Sequence, residues 1–330
     1  PKSEEGHRRG QKNRYFFSFY PQTFDHQLSE IRYRDMVGPS DAYLVTIIAD
    51  GMHQQVAMKH YPRFVRSISN PKFVLIDRQL DIQDLPEALW TYWSFHQYRY
   101  WTQGSEYVFQ GINISRYIRQ ELLWSASRVA RLTVVEKALD RTLAGLAISE
   151  LVYPNFEYAF GRMISALIGN KYKGVVRTGF NHGDYSWRFI NYFMAQEEAS
   201  VSPPYLSQCP IPDRVLAEDR LCAEIYRYNG YHNVDLMDKV TRLDYLQYIK
   251  PKKLEKYALI AAGLHDGEAL MASMGDFIDE NSQVSFLLKP HPRAKSLYLK
   301  TLPHFSNLQV VDDPIQELLE YVGRVYVTYS

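Results

Sequence analysis

The chain predicts an α/β protein of two Rossmann-like domains with parallel sheets, and three observations carry that expectation. From Glu150 onward, short apolar runs of strand length alternate with helix-length segments, the rhythm of βαβ units with right-handed crossovers. The tract Ser200 to Pro212 (SVSPPYLSQCPIP), with four prolines and few periodic apolar residues, interrupts that rhythm and reads as an interdomain linker. At 330 residues the chain is long enough for two cores of ordinary size.

The elements follow in order. Residues 1–14 are charged and contain glycine, which predicts a flexible lead-in. Ala42 to Ala49 (AYLVTIIA) and Phe73 to Ile76 (FVLI) are apolar runs bounded by turn formers, hence buried strands. Roughly 84–147 is helix-rich, closing on the long run Arg128 to Leu146. Leu151 to Tyr153 is a short strand, and Pro154-Asn155 turns the chain into a helix over Phe156 to Ile168. Gly169-Asn170 supplies its C-cap signal before a strand at Lys173 to Phe180. A helix over Tyr185 to Glu198 completes the first domain, 1–200. The second, 213–330, carries strands at Tyr257 to Ala262, Val284 to Leu288, Leu308 to Val311 and Val325 to Thr328. Its helices are expected near 266–279, 294–301 and 314–321, where Asp266 and Asp313-Pro314 give start signals.

Composition narrows the function classes. A net charge of +1 gives no global field to recruit nucleic acid or a membrane, so any anion site is local. The two cysteines, Cys209 and Cys222, have neither metal-ligand nor CxxC spacing, which predicts no disulfide framework and no metal site, in a reducing compartment. No apolar run reaches the ~18 residues that span a bilayer. Aromatic content is 14%, and Tyr92, Trp93, Phe95, Tyr98, Tyr100 and Trp101 crowd one segment with His96 and Arg99. That cluster reads as packed core or partner surface, with stacking on bases or sugars as the alternative.

Chemistry concentrates at strand ends. Lys289-Pro290-His291-Pro292-Arg293 follows the apolar run Val284 to Leu288, and two prolines fix the backbone around the imidazole. Open α/β sheets bind ligands outside the carboxyl ends of their strands, so a rigid cationic loop there predicts phosphate binding by Lys289, His291 and Arg293. Gly263, His265 and Gly267 follow the preceding strand, with Ser330 after the last one. The glycines allow close backbone approach, and the helix start offers free N–H groups to an anion. No GxGxxG or Walker sequence is present, which argues against a standard dinucleotide enzyme or P-loop ATPase. In the first domain, Glu157 follows one strand while His182 and Asp184 follow the next. If those strands are neighbours, two carboxylates and an imidazole face one cleft, an acid/base or nucleophile set. Asp184 and Glu157 have a plainer reading as helix-start carboxylates.

Several segments resemble GT-B-like glycosyltransferases of bacterial surface-polysaccharide biosynthesis, near the Kdo transferases of capsule and O-antigen (lipopolysaccharide) assembly and the sialyltransferases that use CMP-sugars. The segments are Glu150 to Arg162 (ELVYPNFEYAFGR), Val176 to Ser186 with its Asn-His-Gly core, Pro212 to Tyr231, the Lys-Pro-His-Pro motif and Val325 to Ser330. The resemblance covers about 150–330, and Asn181 stands where such sequences often carry glutamine. It implies that His291 and Ser330 hold the donor phosphate, while Glu157 and Asp184, with His182 alongside, supply acid/base or nucleophilic groups between two domains. It implies metal-independent transfer without a cofactor from a nucleotide-sugar donor, CMP-linked, to a glycan or glycolipid acceptor. The expected setting is the cytoplasm, with peripheral association at the inner face of the membrane, and no nucleic-acid partner. The stop at Ser330, directly after a strand, predicts a truncated C-terminal domain. A UDP-sugar or CDP-glycerol transferase of the same fold, and a non-catalytic glycan- or nucleic-acid-binding protein, remain as alternatives.

Overall fold

The computed structural model describes residues 13–19, 24, 29–30, 32–33, 36–47, 72–155, 159–181, 210–238, 246–250, 257–263, 266–291 and 304–327. The chain divides into two compact units, Pro1–Arg242 and Leu243–Ser330.

Among the described residues the first unit has seven parallel strands: β1 (Asn13–Ser18), β2 (Ala42–Val45), β3 (Phe73–Leu75), β6 (Ile148–Pro154), β7 (Val176–Phe180), β8 (Arg214–Ala217) and β9 (Val234–Leu236). A two-stranded antiparallel hairpin, β4 (Val108–Phe109) and β5 (Ile112–Asn113), stands apart from that sheet. The seven run in the order β3-β2-β1-β6-β7-β8-β9 with every pairing parallel. The chain therefore builds outward from β1 in one direction, returns to the centre, and builds outward from β6 in the other. This is the doubly wound Rossmann order, with its reversal between β1 and β6.

Both faces of the sheet are covered, which is why its strands are continuous apolar runs rather than alternating ones. Tyr15, Phe17, Leu44, Leu151 and Tyr153 point to one side. There they meet Val135, Ala138, Leu139 and Leu143 of helix α2 (Ser115–Ala144), and Ile164, Leu167 and Ile168 of α3 (Ala159–Lys171). Phe16, Tyr43, Val45 and Val152 point to the other side, under Phe24 and Tyr33. The two-residue period assigns neighbouring aromatics of one strand to opposite layers.

Helix α1 (Leu85–Trp101) runs back against α2 and is pinned at its start. Arg141 donates to Asp84 Oδ2 at 2.5 Å and Oδ1 at 3.0 Å, and to the Gln79 carbonyl at 2.6 Å.

Three sequence expectations change here. Asn13 and Arg14 belong to the central strand rather than to a lead-in: Arg14 is neutralised by Asp41 at 2.6 Å and donates to the Met36 carbonyl at 2.6 Å, so its charge does not keep the aromatic run Tyr15 to Phe17 out of the sheet. Most of the aromatic cluster is not core, since Tyr92, Trp93, Tyr98, Tyr100 and Trp101 are exposed. The boundary also moves. The segment expected to open a second domain at 213 instead extends the first sheet, because β8 pairs with β7 (Gly179↔Val215) and β9 with β8 (Leu216↔Asp235). Helix α4 (Arg220–Tyr228) buries Cys222, Ala223, Ile225 and Tyr226 against Val215, Ala217 and Val234. The stretch 200–212 is thus a connection within the first unit, of which 200–209 lie outside the described residues.

Among the described residues the second unit has four parallel strands, β10 (Tyr257–Ala262), β11 (Ser285–Pro290), β12 (Leu308–Val310) and β13 (Arg324–Val327), in the order β12-β11-β10-β13. Helix α5 (Gly267–Glu280) packs Met271, Met274 and Ile278 on Ile260, Phe286 and Leu288. The short α6 (Ile315–Leu319) puts Leu318 beside Leu259 on the opposite face. Helices on opposite faces follow from the reversal between β10 and β13. The expected helices at 185–198 and 294–301 lie outside the described residues.

Candidate functional site

In a parallel sheet every strand delivers its following loop to the same edge. In the second unit β10 ends at Ala262 and continues into buried Gly263. Its neighbour β11 is in register through Ala261↔Lys289 and Ala262↔Pro290. The His291 amide donates to the Ala262 carbonyl at 3.1 Å, so the ladder extends one residue past the strand and fixes the backbone that carries the imidazole. Gly263, Lys289 and His291 are therefore brought to one rim, beside the reversal point between β10 and β13. Helix α5 begins at Gly267, its N-cap Asp266 making no side-chain cap bond.

Lys289 does not simply project into solvent. Its ammonium donates to the Asp312 carbonyl at 2.7 Å, reaching across β12, whose end is tied in by the Val311 amide on the Leu288 carbonyl at 2.9 Å. One of its three protons is thereby used and two remain for a ligand. The bond orients the charge along the rim and couples the loops after β11 and β12. His265, Arg293 and Ser330 lie outside the described residues.

The carboxylates and imidazole expected in the first unit, Glu157, His182 and Asp184, also lie outside the described residues. The strands they follow are described, and they are neighbours: Pro154 of β6 is in register with Phe180 of β7, and the Asn155 amide donates to the Phe180 carbonyl at 2.8 Å. The chain thus enters the segments containing these three residues from adjacent strand ends. Asn155 and Asn181 sit at those exits, 4% and 1% exposed. Asn181 donates its amide to the Leu216 carbonyl at 2.8 Å, while the Asn155 side-chain nitrogen has no hydrogen-bond partner among the described residues.

Sequence reasoning missed two polar constructions on this sheet. Asp77, two residues past the end of β3, accepts from the Ile47 amide at 2.8 Å and the Thr46 hydroxyl at 3.2 Å, closing the end of β2. Arg32 is held between Glu30 Oε1 at 2.7 Å and the Ser18 hydroxyl at 3.0 Å at the end of β1. The only signal for either was a charged residue near an apolar run, which the sequence also shows at many plain surface positions.

Arg177, the second residue of β7, is paired with Asp213: its amide donates at 2.8 Å and its Nε at 3.0 Å, and Nη2 reaches the other carboxylate oxygen. Burial pushes the Asp213 carboxyl up, but these hydrogen bonds outweigh it and hold the group below the usual carboxylate range. This pair is structural. It borders a polar depression of about 560 Å³ with Arg214, Arg227 and His232 in its wall, at the amino ends of β7, β8 and β9, opposite the edge where open sheets take ligands.

Among the described residues no cluster of His, Cys, Asp or Glu is placed to hold a metal ion, and no helix is long and apolar enough to cross a membrane. No family model matches the chain, and no curated protein matches it by sequence. Among solved structures it is similar to the Glycyrrhiza uralensis protein UGT73P12, crystallised with glycyrrhetinic acid 3-O-monoglucuronide, at 11% identity and a TM-score of 0.42, over 96% of this chain and 72% of that one. That likeness is too distant to support fold or chemistry, which rest on the geometry described above.

Proposed function

We propose that the chain is a glycosyltransferase that binds the phosphate of a nucleotide-sugar donor on the carboxyl rim of its second unit. The observation that carries this reading is the convergence of Gly263, Lys289 and His291 on one strand-end rim, with the His291 backbone locked to Ala262 at 3.1 Å. Glycine admits the phosphate close to the backbone, and Lys289 and His291 neutralise charge on the leaving group, the role a divalent cation or a preorganised donor set plays in other phosphate chemistry. His265, Arg293 and Ser330 complete the donor pocket in this reading.

In the transfer step the anomeric carbon–phosphate oxygen bond breaks and an acceptor hydroxyl oxygen bonds to that carbon. The hydroxyl proton passes to a carboxylate, Glu157 or Asp184, with His182 as its partner, and the nucleotide leaves with its phosphate charge held at the rim. The donor is CMP-activated, as in the bacterial surface-polysaccharide enzymes that the sequence resembles. The acceptor is a glycan or glycolipid met at the cytoplasmic face of the membrane. No further cofactor enters the scheme.

A thermal-shift panel of CMP, UMP, GMP and CDP tests the donor. Selective stabilisation by CMP, about 2.7 kcal/mol at a concentration 100 times Kd, is expected. His291→Ala and Lys289→Met should each weaken that effect at least tenfold in apparent Kd. Stabilisation by UMP or CDP alone corrects the donor. No stabilisation by any nucleotide, or His291→Ala and Lys289→Met binding like the parent protein, overturns the assignment.

A further inference from the structure

The arm formed by α1, the β4–β5 hairpin and α2 presents the wrong surface to water. On α1, Ala88, Ser94 and Phe95 turn inward. The opposite stripe of Leu89, Trp90, Trp93, Tyr100 and Trp101 is 57–73% exposed. A solvent-facing helix side is normally its polar one; here that stripe has only Gln97 as a polar member.

The apolar character continues around the tip. Val108, Phe109 and Ile112, the hydrophobic residues of the hairpin strands, are 58%, 61% and 66% exposed, and among the described residues the hairpin pairs with no other strand. Its turn is sharp, with Gln110 at φ 49° and Gly111 at φ 79°. Tyr117 and Trp124 on the first turns of α2 are 73% and 53% exposed. The α2 residues in the apolar cluster that covers the sheet run from Val135 to Leu143, so some 20 residues, about 30 Å of helix, precede it, with Ala126 the one hydrophobic residue described as fully buried among them.

Charge accompanies the aromatics. From Tyr98 to Arg131 there are five arginines against two glutamates and no lysine or aspartate, in a chain whose net charge is only +1. Arg128 lies over the Trp124 ring at 5.8 Å, and Arg119 donates to the Ser105 carbonyl at 3.2 Å, bracing the tip.

We propose that this arm docks on the interface of an anionic phospholipid bilayer. Tryptophan and tyrosine favour the headgroup level, where the ring is dehydrated while its polar edge stays wet. The Val108, Phe109 and Ile112 tip is suited to the acyl boundary just below. Arginines beside it meet the negative surface potential of anionic lipid. A second copy of the chain fits less well, since a two-fold contact would set one arginine-rich tip against another. A glycan fits less well too, because the apolar tip offers no hydrogen-bond partners to sugar hydroxyls. The docking stands independently of the donor site.

Four of the five tryptophans lie in the arm, so the test has an intrinsic reporter. Whole protein is mixed with vesicles of phosphatidylcholine alone, or of phosphatidylcholine with phosphatidylglycerol, and followed by flotation and tryptophan emission. Flotation with the anionic vesicles, a blue shift, and weakening by salt are expected. Arg116→Gln with Arg119→Gln should lower the partition coefficient about 30-fold, from the typical contribution of one basic residue near such a surface. Trp93→Gln with Trp101→Gln should abolish the blue shift and flotation while leaving the unfolding midpoint in place, both residues being exposed. No flotation with anionic vesicles overturns the proposal. Flotation that both variant pairs retain also overturns it, as does an arm-dependent dimer by light scattering that binds no vesicles.

Discussion

Gly179 lies in the middle of the first sheet, one residue before the end of β7, and its replacement by alanine tests how tightly the strand-end exits are built. An added Cβ would sit 2.9 Å from Asn155 Cβ, 2.9 Å from Pro212 Cγ and 3.1 Å from Asn155 Cγ, where carbon pairs prefer ~3.5–4.0 Å. Neither neighbour yields readily. Asn155 is tied to the Phe180 carbonyl at 2.8 Å. Pro212 is rigid and precedes Asp213, whose amide donates to the Arg177 carbonyl at 2.9 Å. Relief therefore requires parting β7 from β6 or β8 by roughly 0.6 Å or more, an overpacking that costs about 1–3 kcal/mol. Alanine recovers about 0.4–1 kcal/mol through the less flexible unfolded chain, leaving a net loss of about 1–2 kcal/mol. At ~2–4 °C per kcal/mol for a unit of this size, calorimetry should show a fall in midpoint of roughly 2–8 °C, and urea denaturation a matching shift. Gly104→Ala is the control, since nothing lies within 4 Å of its Cβ position. If the two variants unfold alike, the close approach of β7 to Asn155 and Pro212 is wrong.

Other perturbations probe separate parts of the molecule. Asp84→Asn should cost about 1 kcal/mol at neutral pH, discounted because Arg141 is partly exposed. The Arg141 hydrogen bond holds the Asp84 carboxyl below its usual range, so its stabilisation is complete above about pH 4 and is lost as pH falls through the lower folded value. Urea midpoints of parent and variant should accordingly converge in acid; a constant gap would refute the pairing. Asp77→Ala strips the Ile47 amide of its acceptor at 2.8 Å and should cost about 1–3 kcal/mol, read by chemical denaturation. Asn307→Asp replaces a side-chain amide that donates to the carbonyls of Ile278, Asn281 and Val284 at 2.9, 3.1 and 3.2 Å. Setting a carboxylate against three carbonyls should destabilise the second unit by at least ~2 kcal/mol, visible as faster amide exchange in β12 and α5. Tyr153→Phe removes a hydroxyl 2.5 Å from the Ser165 hydroxyl. Ser165 keeps its bond to the Gly161 carbonyl at 2.8 Å, so the loss should stay near 0.5–1.5 kcal/mol.

Much of the parallel architecture was legible because buried parallel strands are continuous apolar runs, and Ala42 to Val45, Leu151 to Tyr153, Tyr257 to Ala262 and Phe286 to Leu288 all have that form. β1 was overlooked because Asn13 and Arg14 join it to a charged tract, and one-dimensional charge does not reveal that Asp41 and Met36 receive the arginine. The domain boundary was misplaced for a related reason. Four prolines mark a break in periodicity, but a crossover within one sheet and a linker between two share that composition, and only the pairing of Gly179 with Val215 separates them. On the carboxyl rim of the second sheet, Gly263, Lys289 and His291 were legible as strand-end residues. The bond from Lys289 to the Asp312 carbonyl was not, since it depends on β12 lying beside β11.

The alternation of strands and helices, the rigid basic motif at a strand end and the dense aromatic segment are written in the order of residues, because each is a property of neighbours along the chain. The strand order, with its reversals between β1 and β6 and between β10 and β13, and the outward face of the aromatic arm emerge on folding. Both depend on which distant segments cover which faces, a balance of buried area and satisfied backbone that no local pattern encodes.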